Sequence, residues 1–539
     1  MDRAFLILKR VLQIDILKGK RVQLRKGIFM ERVAIIDMGS NSIRFIIMQI
    51  AENHSYRLEY QQKEAIRLGR GMSETGKLNP AGVKRAMECL KVYRHMMEVM
   101  KITKCIAVAT AAARNAKDGP AFIERIKRET GIEVTVISGE REAYLGYLGV
   151  VNTIAEDHYL QFDLGGASIE VSLVEHRKIV ESVSVPIGAV TVTDAFNLSD
   201  KVTSAALDRC KSFIQEKYET MIPWAKGVNL PIIGVGGTVR NLAKMDQAHT
   251  NYQLARIHNY IIPRKRFDDN YNAIIKSSLA NRRRMRGLST ERADIIVAGA
   301  LIIRCLVEFA GGRDLIVSGC GLREGVFYEY YGEKYGQGPV VQDILRASVK
   351  NYLGTTECQP EHLARVRDLA LSLFDQLRPL HKAGRREREL LEVAASMHDS
   401  GKTINYYEHA RHSAFIIAHA PIYGMRQKEQ LIASFIAGFH HGISNKIMRS
   451  YRYAMMLTQE DWQLVRRLSL LLALSEAADV TYEGVVTGFD VTNDEEGVVL
   501  AVRSGKGTSH SAADFEMKTY AKQFKKEYGK PLIILWHKD

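Results

Sequence analysis

Two short segments of this chain follow one plan: an apolar strand, an aspartate, a turn of glycine and serine, and a second apolar strand. They are VAIIDMGSNSIRFIIMQI at residues 33–50 and YLQFDLGGASIEVSLV at residues 159–174. A Gly/Ser turn lets backbone N–H groups approach anionic oxygens, and a carboxylate at the strand end, here Asp37 or Asp163, can hold a divalent cation or its waters. Either segment alone also fits an ordinary β-hairpin. Together they predict two related lobes that face each other across a cleft, with a phosphoanion between them.

Length and charge limit what the chain can be. With 539 residues it is too long for one core, so three or four domains are expected. The net charge of +15 and pI near 9.3 indicate an acidic partner, and charge alone leaves nucleic acid, polyphosphate and anionic membrane open. Six scattered cysteines without short paired spacing argue against a zinc ribbon or a disulfide framework, and a reducing cytoplasm fits best.

The first thirty residues hold an apolar stretch that is broken by Lys9, Arg10 and Asp15 and has no cleavage site after it. We therefore expect neither a signal peptide nor a membrane span. Met30 stands directly before the first repeated strand. One hypothesis is that translation starts there and that the preceding basic segment is dispensable.

The pattern of strands and helices predicts an α/β chain of several domains. A basic extension at residues 1–30 precedes two α/β lobes at residues 31–154 and 155–335. After a glycine-containing linker, residues 340–483 read as an all-helical domain and residues 484–539 as a small α+β domain with one amphipathic helix at 513–528.

Three polar residues of the first lobe could carry chemistry. Arg114 follows a strand, where its guanidinium could reach a terminal phosphate, although a single arginine is more often a surface residue. Glu140 and Glu142 follow another strand and open a helix, so either could orient water in the cleft or simply favour the helix N-terminus. Spacing alone favours the second explanation.

In this order, DMGSNSIRFII, Arg114, ISGEREA, FDLGGASIE, GVGGT and ERADIIVAGA resemble the exopolyphosphatase and guanosine pentaphosphate phosphohydrolase family over residues 33–331. The resemblance implies a duplicated actin-like, ribonuclease H-like fold and magnesium-dependent removal of terminal phosphates. It also implies a homodimer.

The resemblance assigns roles by position. Glu142 matches the glutamate that activates water, with Glu140 as second choice, and Arg114 matches an arginine that contacts phosphate. The phosphate cradle corresponds to Ser40, Asn41, Ser42, Gly165, Gly166, Ser168, Gly236 and Gly237, and the Mg²⁺-holding carboxylates to Asp37, Asp163 and Glu170. The second loop departs from the family, which often has three glycines and a threonine, by carrying Ala167 and Ile169.

The helical domain carries a separate signal. His362, the adjacent pair His398 and Asp399, and the distant Asp479 resemble the ligands of the HD phosphohydrolase superfamily, which hold a divalent metal that activates water. His409, His412 and the pair His440 and His441 could complete a second metal position. The alternative is a helical domain whose histidines lie at the surface or form hydrogen bonds.

The leading hypothesis is a processive exopolyphosphatase that acts on inorganic polyphosphate. Two basic runs, one at residues 282–286 and one at 385–388, could guide the polyanion, although each run alone is usually a solvated face. Hydrolysis of guanosine pentaphosphate would use the same residues. A kinase or chaperone-type ATPase on the same fold is disfavoured because Glu142 and Arg114 fit the phosphatase pattern. A non-catalytic polyphosphate or alarmone sensor and a bifunctional phosphohydrolase stay open. No specific nucleic acid is expected.

Overall fold

The structure is a computed structural model that describes residues 29–538, apart from residue 357 and residues 443–452 and 506–508. The basic extension predicted at residues 1–30 lies outside the described residues except for its last two. The hypothesis of a start at Met30 therefore stays a prediction.

The first lobe is built on a mixed sheet whose central strand is apolar on both faces. Its strands are β1 (Phe29–Met38), β2 (Ser42–Ala51), β3 (Tyr56–Ala65), β4 (Lys104–Ala109) and β5 (Val134–Val136). Its helices are α1 (Met72–Thr75), α2 (Pro80–Val99), α3 (Ala111–Asn115), α4 (Gly119–Thr130) and α5 (Gly139–Val151). The strand order is β3-β2-β1-β4-β5, with β1 to β3 antiparallel and β4 and β5 parallel to β1. Residues 33–36 of β1 are fully buried because helices cover both faces of the sheet.

The second lobe repeats this order. Its strands are β6 (Tyr159–Leu164), β7 (Ile169–Glu175), β8 (Lys178–Val185), β9 (Ile232–Gly236), β10 (Tyr260–Ile262) and β11 (Leu315–Val317). Its helices are α6 (Ala189–Phe196), α7 (Ser204–Met221), α8 (Gly237–His249), α9 (Arg264–Ile275), α10 (Leu279–Arg282), α11 (Ile296–Ala310) and α12 (Leu322–Tyr335), with 3₁₀ turns at Pro223–Ala225 and Thr290–Arg292. The sheet order is β8-β7-β6-β9-β11, followed by antiparallel β10. The predicted α/β fold of two actin-like lobes is confirmed.

Two helices lock the lobes together. Helix α5 of the first lobe packs against α12 of the second, and Leu145 and Phe327 belong to one buried cluster that reaches both sheets. A Cβ atom at Gly325 would lie 1.8 Å from the carbonyl oxygen of Leu145, and one at Gly149 would lie 2.2 Å from that of Gly321. Glycine is therefore required for this backbone approach.

The next region is helical, as expected. Its helices are α13 (Ile344–Leu353), α14 (Pro360–Gln376), α15 (Arg378–His381), α16 (Arg385–Met397), α17 (His409–His419), α18 (Gln427–Gly438) and α19 (Gln459–Ala478), with 3₁₀ turns at Ser400–Thr403 and Ala454–Met456. Helices α14, α16, α18 and α19 enclose a large apolar core.

The C-terminal part is a three-stranded sheet with helices. It contains β12 (Val486–Asn493), β13 (Val498–Ser504), α20 (Ser511–Thr519), α21 (Ala521–Tyr528) and β14 (Leu532–Lys538). The single helix predicted at 513–528 is wrong: it is divided at Tyr520, whose side chain packs onto the core of the helical region. Nowhere in the described residues is there a helix with the length and apolar character needed to cross a membrane.

Candidate active site

The two Gly/Ser loops lie at equivalent strand ends and face each other. In each loop a glycine N–H donates across the turn, from Gly39 to the carbonyl oxygen of Ser42 at 3.1 Å and from Gly165 to that of Ser168 at 2.9 Å. A Cβ atom at Gly166 would come within 3.0 Å of Ser40 Cβ. The lobes therefore meet at these loops, and all eight predicted cradle residues line one cleft.

The predicted metal carboxylates occupy the strand ends beside the loops. Asp37 pairs in register with Arg44, and Asp163 with Glu170. Burial raises the pKa of both aspartates, with Arg44 opposing the rise most at Asp37 and Arg240 at Asp163. Asp37 and Asp163 both line the cleft. Oxygen donors of this kind suit Mg²⁺, so these two residues fit the cation that the resemblance implies.

Glu170 is enclosed more deeply than the two aspartates. Its Oε1 accepts hydrogen bonds from the hydroxyls of Ser168 at 2.7 Å and Ser184 at 2.8 Å. Burial raises its pKa to about 7, and the two hydroxyls oppose that rise. Glu170 therefore lies behind the second loop, next to Asp163.

The structure shows which of the two glutamates, Glu142 or Glu140, faces the cleft. Ser138 caps α5 by accepting a hydrogen bond from the N–H of Arg141 at 3.1 Å, which fixes the first turn of the helix. Glu142 lines the cleft with only 13% of its side chain exposed, whereas Glu140 is exposed. Two positions along a helix differ by about 200°, so only one of the pair can face the cleft.

Arg114 holds the Glu142 side chain in place. Its Nη1 donates to the carbonyl oxygen of Ile137 at 2.7 Å and lies 3.4 Å from Glu142 Oε2. Burial raises the pKa of Glu142 well above its usual value, the Glu170 and Asp163 carboxylates add to the rise, and Arg114 opposes it. Arg114 and Glu142 therefore lie together, close to the carboxylates of Asp163 and Glu170.

Four arginines that sequence reasoning missed also line the cleft. They are Arg44, Arg240, Arg292 and Arg323. Burial lowers the pKa of Arg240 and of Arg292 to about 10, and Arg240 Nε has no hydrogen-bond partner. Guanidinium groups bind phosphate oxygens through paired N–H donors. Arg44 and Arg292 lie within quoted motifs and Arg240 lies two residues after GVGGT, but their spacing does not single them out, and Arg323 lies outside the quoted motifs.

The two basic runs have different surroundings. Arg282 is fully buried and donates to the carbonyl oxygens of Ser199 and Asp200, so its predicted place on a polyanion path is wrong. The rest of that run, Arg283, Arg284 and Arg286, is exposed. The other run, Arg385, Arg386 and Arg388, lines a cavity of about 950 Å³ at the edge of the helical domain, and each member has a carboxylate partner.

The HD-type candidates come together in the helical domain, with one change. Oε2 of Glu476 lies 2.9 Å from His398 Nε2 and 3.0 Å from His362 Nε2. Asp479 contacts the other ring nitrogen of His362, Nδ1, at 2.8 Å. The geometry therefore favours Glu476, one helical turn before Asp479, as the carboxylate that faces both rings.

Two actin-like lobes with paired phosphate-type loops, carboxylates and arginines between them define a class of proteins that act on phosphoanhydrides. The chain belongs to the Ppx/GppA phosphatase family. The family model matches residues 46–333, and a model for Ppx/GppA phosphatase domain III matches residues 344–495. It is thus a hydrolase from a family of phosphatases that generally use divalent metals.

Its relatives carry different names. A bifunctional 3-dehydroquinate synthase/phosphatase of Fusobacterium nucleatum is 30% identical over 53% of this chain, which spans only 44% of that protein. A guanosine-5'-triphosphate,3'-diphosphate pyrophosphatase of Aeromonas salmonicida is 25% identical over 90% of this chain and 95% of its own length. The crystal structure of an exopolyphosphatase from Cytophaga hutchinsonii superposes with a TM-score of 0.52 at 26% identity, covering 56% of this chain and 98% of that one.

Proposed function

We propose that the chain is an exopolyphosphatase that removes terminal phosphate from inorganic polyphosphate processively and releases orthophosphate. The observation that carries this proposal is the lining of the cleft. Among the described residues it contains four arginines, two Gly/Ser loops and a helix N-terminus, but no aromatic side chain that could stack on a nucleobase. A substrate made only of phosphate uses all of these groups.

The cleft residues divide the chemistry between them. Asp37 and Asp163, supported by Glu170, would hold Mg²⁺, which neutralises charge on phosphate oxygens when bound. The loop N–H groups and the arginines bind the chain end and stabilise charge on the terminal phosphoryl group. Glu142, in its ionised form, orients a water molecule and accepts its proton as the water oxygen attacks phosphorus, and the shortened chain leaves with the bridging oxygen.

A second function is favoured by the relatives. The guanosine pyrophosphatase of Aeromonas salmonicida aligns over 90% of this chain, including the helical domain. Hydrolysis of guanosine pentaphosphate to the tetraphosphate would use the same Glu142 and the same loops, with the nucleoside outside the cleft.

The two functions separate in one experiment. Phosphate release is measured with Mg²⁺ on long-chain polyphosphate and on guanosine pentaphosphate at matched concentrations of chain ends. We expect a higher kcat/KM on polyphosphate. Gels of the reaction should show no partly shortened chains, because only a non-processive enzyme releases chains of intermediate length. A higher kcat/KM on the nucleotide would favour the second function, and tight binding without turnover of either would indicate a sensor.

The remaining expectations are proposals as well. Homodimerisation and a cytoplasmic location come from the family resemblance and the cysteine pattern. Light scattering of the purified chain tests the dimer directly.

A further inference from the structure

Arg67, which follows β3 at the edge of the cleft, has an unusual backbone conformation. Its φ is +53°, in the left-handed region that residues with a side chain seldom adopt. Strained residues of this kind persist where neighbouring contacts hold them, and they concentrate at functional sites. Arg67 does not line the cleft itself. Its importance therefore depends on its contacts, which reach both lobes.

The backbone of Arg67 supports the first Gly/Ser loop. The N–H groups of Ile66 and Arg67 both donate to the carbonyl oxygen of Asn41, at 3.0 and 2.9 Å. The N–H of Gly69 donates to the carbonyl oxygen of Ser40 at 2.9 Å. Ser40 and Asn41 both line the cleft. The segment around Arg67 is therefore fixed to the part of the first lobe that is predicted to cradle phosphate.

The side chain of Arg67 extends to the second lobe. Its Nη1 lies 3.2 Å from Asp294 Oδ2, and its Nη2 donates to the carbonyl oxygen of Glu291 at 3.4 Å. Arg67 and Asp294 expose only 29% and 25% of their side chains, so water screens this ion pair incompletely. Asp294 Oδ1 is buried without a hydrogen-bond partner in the described part of the chain. Loss of Arg67 would therefore leave a largely buried carboxylate without its ion pair, which is costly.

The turn that Arg67 contacts carries Arg292, one of the four arginines of the cleft. Arg292 lies in sequence between the two residues that Arg67 contacts, and it is buried and lines the cleft. It ends a 3₁₀ turn of only three residues, which has few hydrogen bonds of its own. From the second lobe, Asn241 Oδ1 holds this turn by accepting from the N–H of Ser289 at 2.8 Å. Arg67 holds it from the first lobe.

A second ion pair joins the same turn to the first lobe. Lys63 Nζ lies 3.2 Å from Glu291 Oε2, with 41% and 55% of the two side chains exposed. Exposed ion pairs contribute little to stability. Arg67 is therefore the stronger connection between the lobes at this turn.

We propose that Arg67 is a positioning residue that joins the first Gly/Ser loop to the turn carrying Arg292. Its backbone fixes the loop and its side chain fixes the turn, so a terminal phosphate meets both at a set separation. This inference rests on the proposed function, because it requires Arg292 to bind phosphate. It adds that a residue outside the cleft controls affinity for the end of the phosphate chain.

The proposal is tested by the coupling between Arg67 and Arg292. The Kd of tripolyphosphate with Mg²⁺ is measured by isothermal titration calorimetry on the full chain carrying Glu142→Gln, which prevents turnover. The forms compared have no further change, Arg67→Asn, Arg292→Gln, or both. Asparagine tolerates the left-handed backbone, so Arg67→Asn removes mainly the guanidinium. We expect Kd to rise about tenfold in each single variant and little further in the combination, because both changes remove the same contact.

The matched control is Arg32→Asn, which breaks an ion pair with Glu59 at 2.7 Å within the first lobe and should leave Kd unchanged. An unchanged Kd in Arg67→Asn, or two substitutions whose effects multiply, would overturn the proposal. Circular dichroism checks the fold. If Arg67→Asn does not fold, Asp294→Asn takes its place, since it weakens the same ion pair from the second lobe.

The positioning role and the proposed function fail in different ways. If the wild-type chain releases no phosphate from polyphosphate but the coupling is found, the proposed function is wrong and the positioning role stands. If the wild-type chain shortens polyphosphate but the two substitutions act independently, the positioning role is wrong and the proposed function stands.

Discussion

At the scale of single residues, the cleft depends on two glycines that let other groups approach their backbone closely. A Cβ atom at Gly237 would lie 2.0 Å from Cζ of Arg292, so this glycine makes room for a buried guanidinium. A Cβ atom at Gly188 would instead lie 2.3 Å from the backbone carbon of Gly166 in the second loop. The first clash is with the end of a flexible side chain, and the second is with a backbone that cannot move aside.

We therefore expect two different outcomes from two alanine substitutions. Gly237→Ala should displace Arg292 and raise KM for polyphosphate by about tenfold, the loss of one charge-assisted contact, with little change in melting temperature. Gly188→Ala should lower the melting temperature as well as the activity, because the loop itself must shift. Steady-state kinetics and thermal unfolding of both variants distinguish the cases, and an unchanged KM in Gly237→Ala contradicts this account.

Residue types in a pattern predict some of the cleft but not all of it. Asp37 and Asp163 could be predicted because a strand and a Gly/Ser turn place each one at a known position. Arg240 and Arg292 could not, because their roles depend on which helices the fold brings to the cleft. The choice between Glu140 and Glu142 required the orientation of α5, which spacing does not give.

At the scale of elements, the cap of α5 connects stability to the cleft. Ser138 fixes the first turn, and Glu142 belongs to that turn. Thr203 caps α7 in the same way, accepting from the N–H of Ala206 at 3.2 Å, but α7 contributes nothing to the lining of the cleft. The two caps form a matched pair.

Removing either cap should lower the free energy of unfolding by about 1 kcal/mol. Ser138→Ala should also lower kcat several-fold because Glu142 loses its fixed position, whereas Thr203→Ala should leave kcat unchanged. Denaturant unfolding and phosphate release on both variants provide the comparison. Equal kcat values in both variants would mean that the first turn of α5 does not position Glu142.

Most elements could be predicted from periodicity, and the exceptions have tertiary causes. The start of helix α2 can be read from local sequence, because Asn79 caps it and Pro80 opens it. The tail helix is broken at Tyr520 because that side chain packs onto the helical domain, a contact that local sequence cannot reveal.

At the scale of the whole molecule, His258 of the second lobe makes two hydrogen bonds that hold its ring in one tautomer. Its Nε2 donates to the carbonyl oxygen of Thr153 at 3.2 Å, and its Nδ1 accepts from the N–H of Gly319 at 3.2 Å. Burial lowers its pKa to about 4, Arg256 and Arg240 add to this, and Thr153 and Glu324 oppose it. The ring is therefore neutral in the folded chain at pH 7.

The pH dependence of stability follows from this pKa. In the unfolded chain the ring takes up a proton near pH 6.5, but in the folded chain only near pH 4. Its contribution to stability is present above pH 6.5 and is lost as the pH falls toward 4. Unfolding free energies measured across this window should show a steeper fall for the wild type than for His258→Asn. Parallel curves would contradict the assignment.

Long-range charge gives a further prediction for the whole molecule. If polyphosphate passes along the cavity at Arg385, affinity should fall steeply with salt, by about 0.7 log units per tenfold salt for each neutralised phosphate. Arg385, with 91% of its side chain exposed, is the accessible member of its run. Arg385→Gln should reduce the salt slope by about that amount, while Arg283→Gln should not. Equal slopes in both variants would exclude this path.

The central claim, that Glu142 activates water in the cleft, is tested most directly by comparing two neighbouring glutamates. Phosphate release from long-chain polyphosphate with Mg²⁺ is measured for the wild type, Glu142→Gln and Glu140→Gln. We expect kcat to fall by about 10²–10⁴-fold in Glu142→Gln and to change little in Glu140→Gln. Wild-type activity in Glu142→Gln, or an equal loss in both variants, would contradict the account.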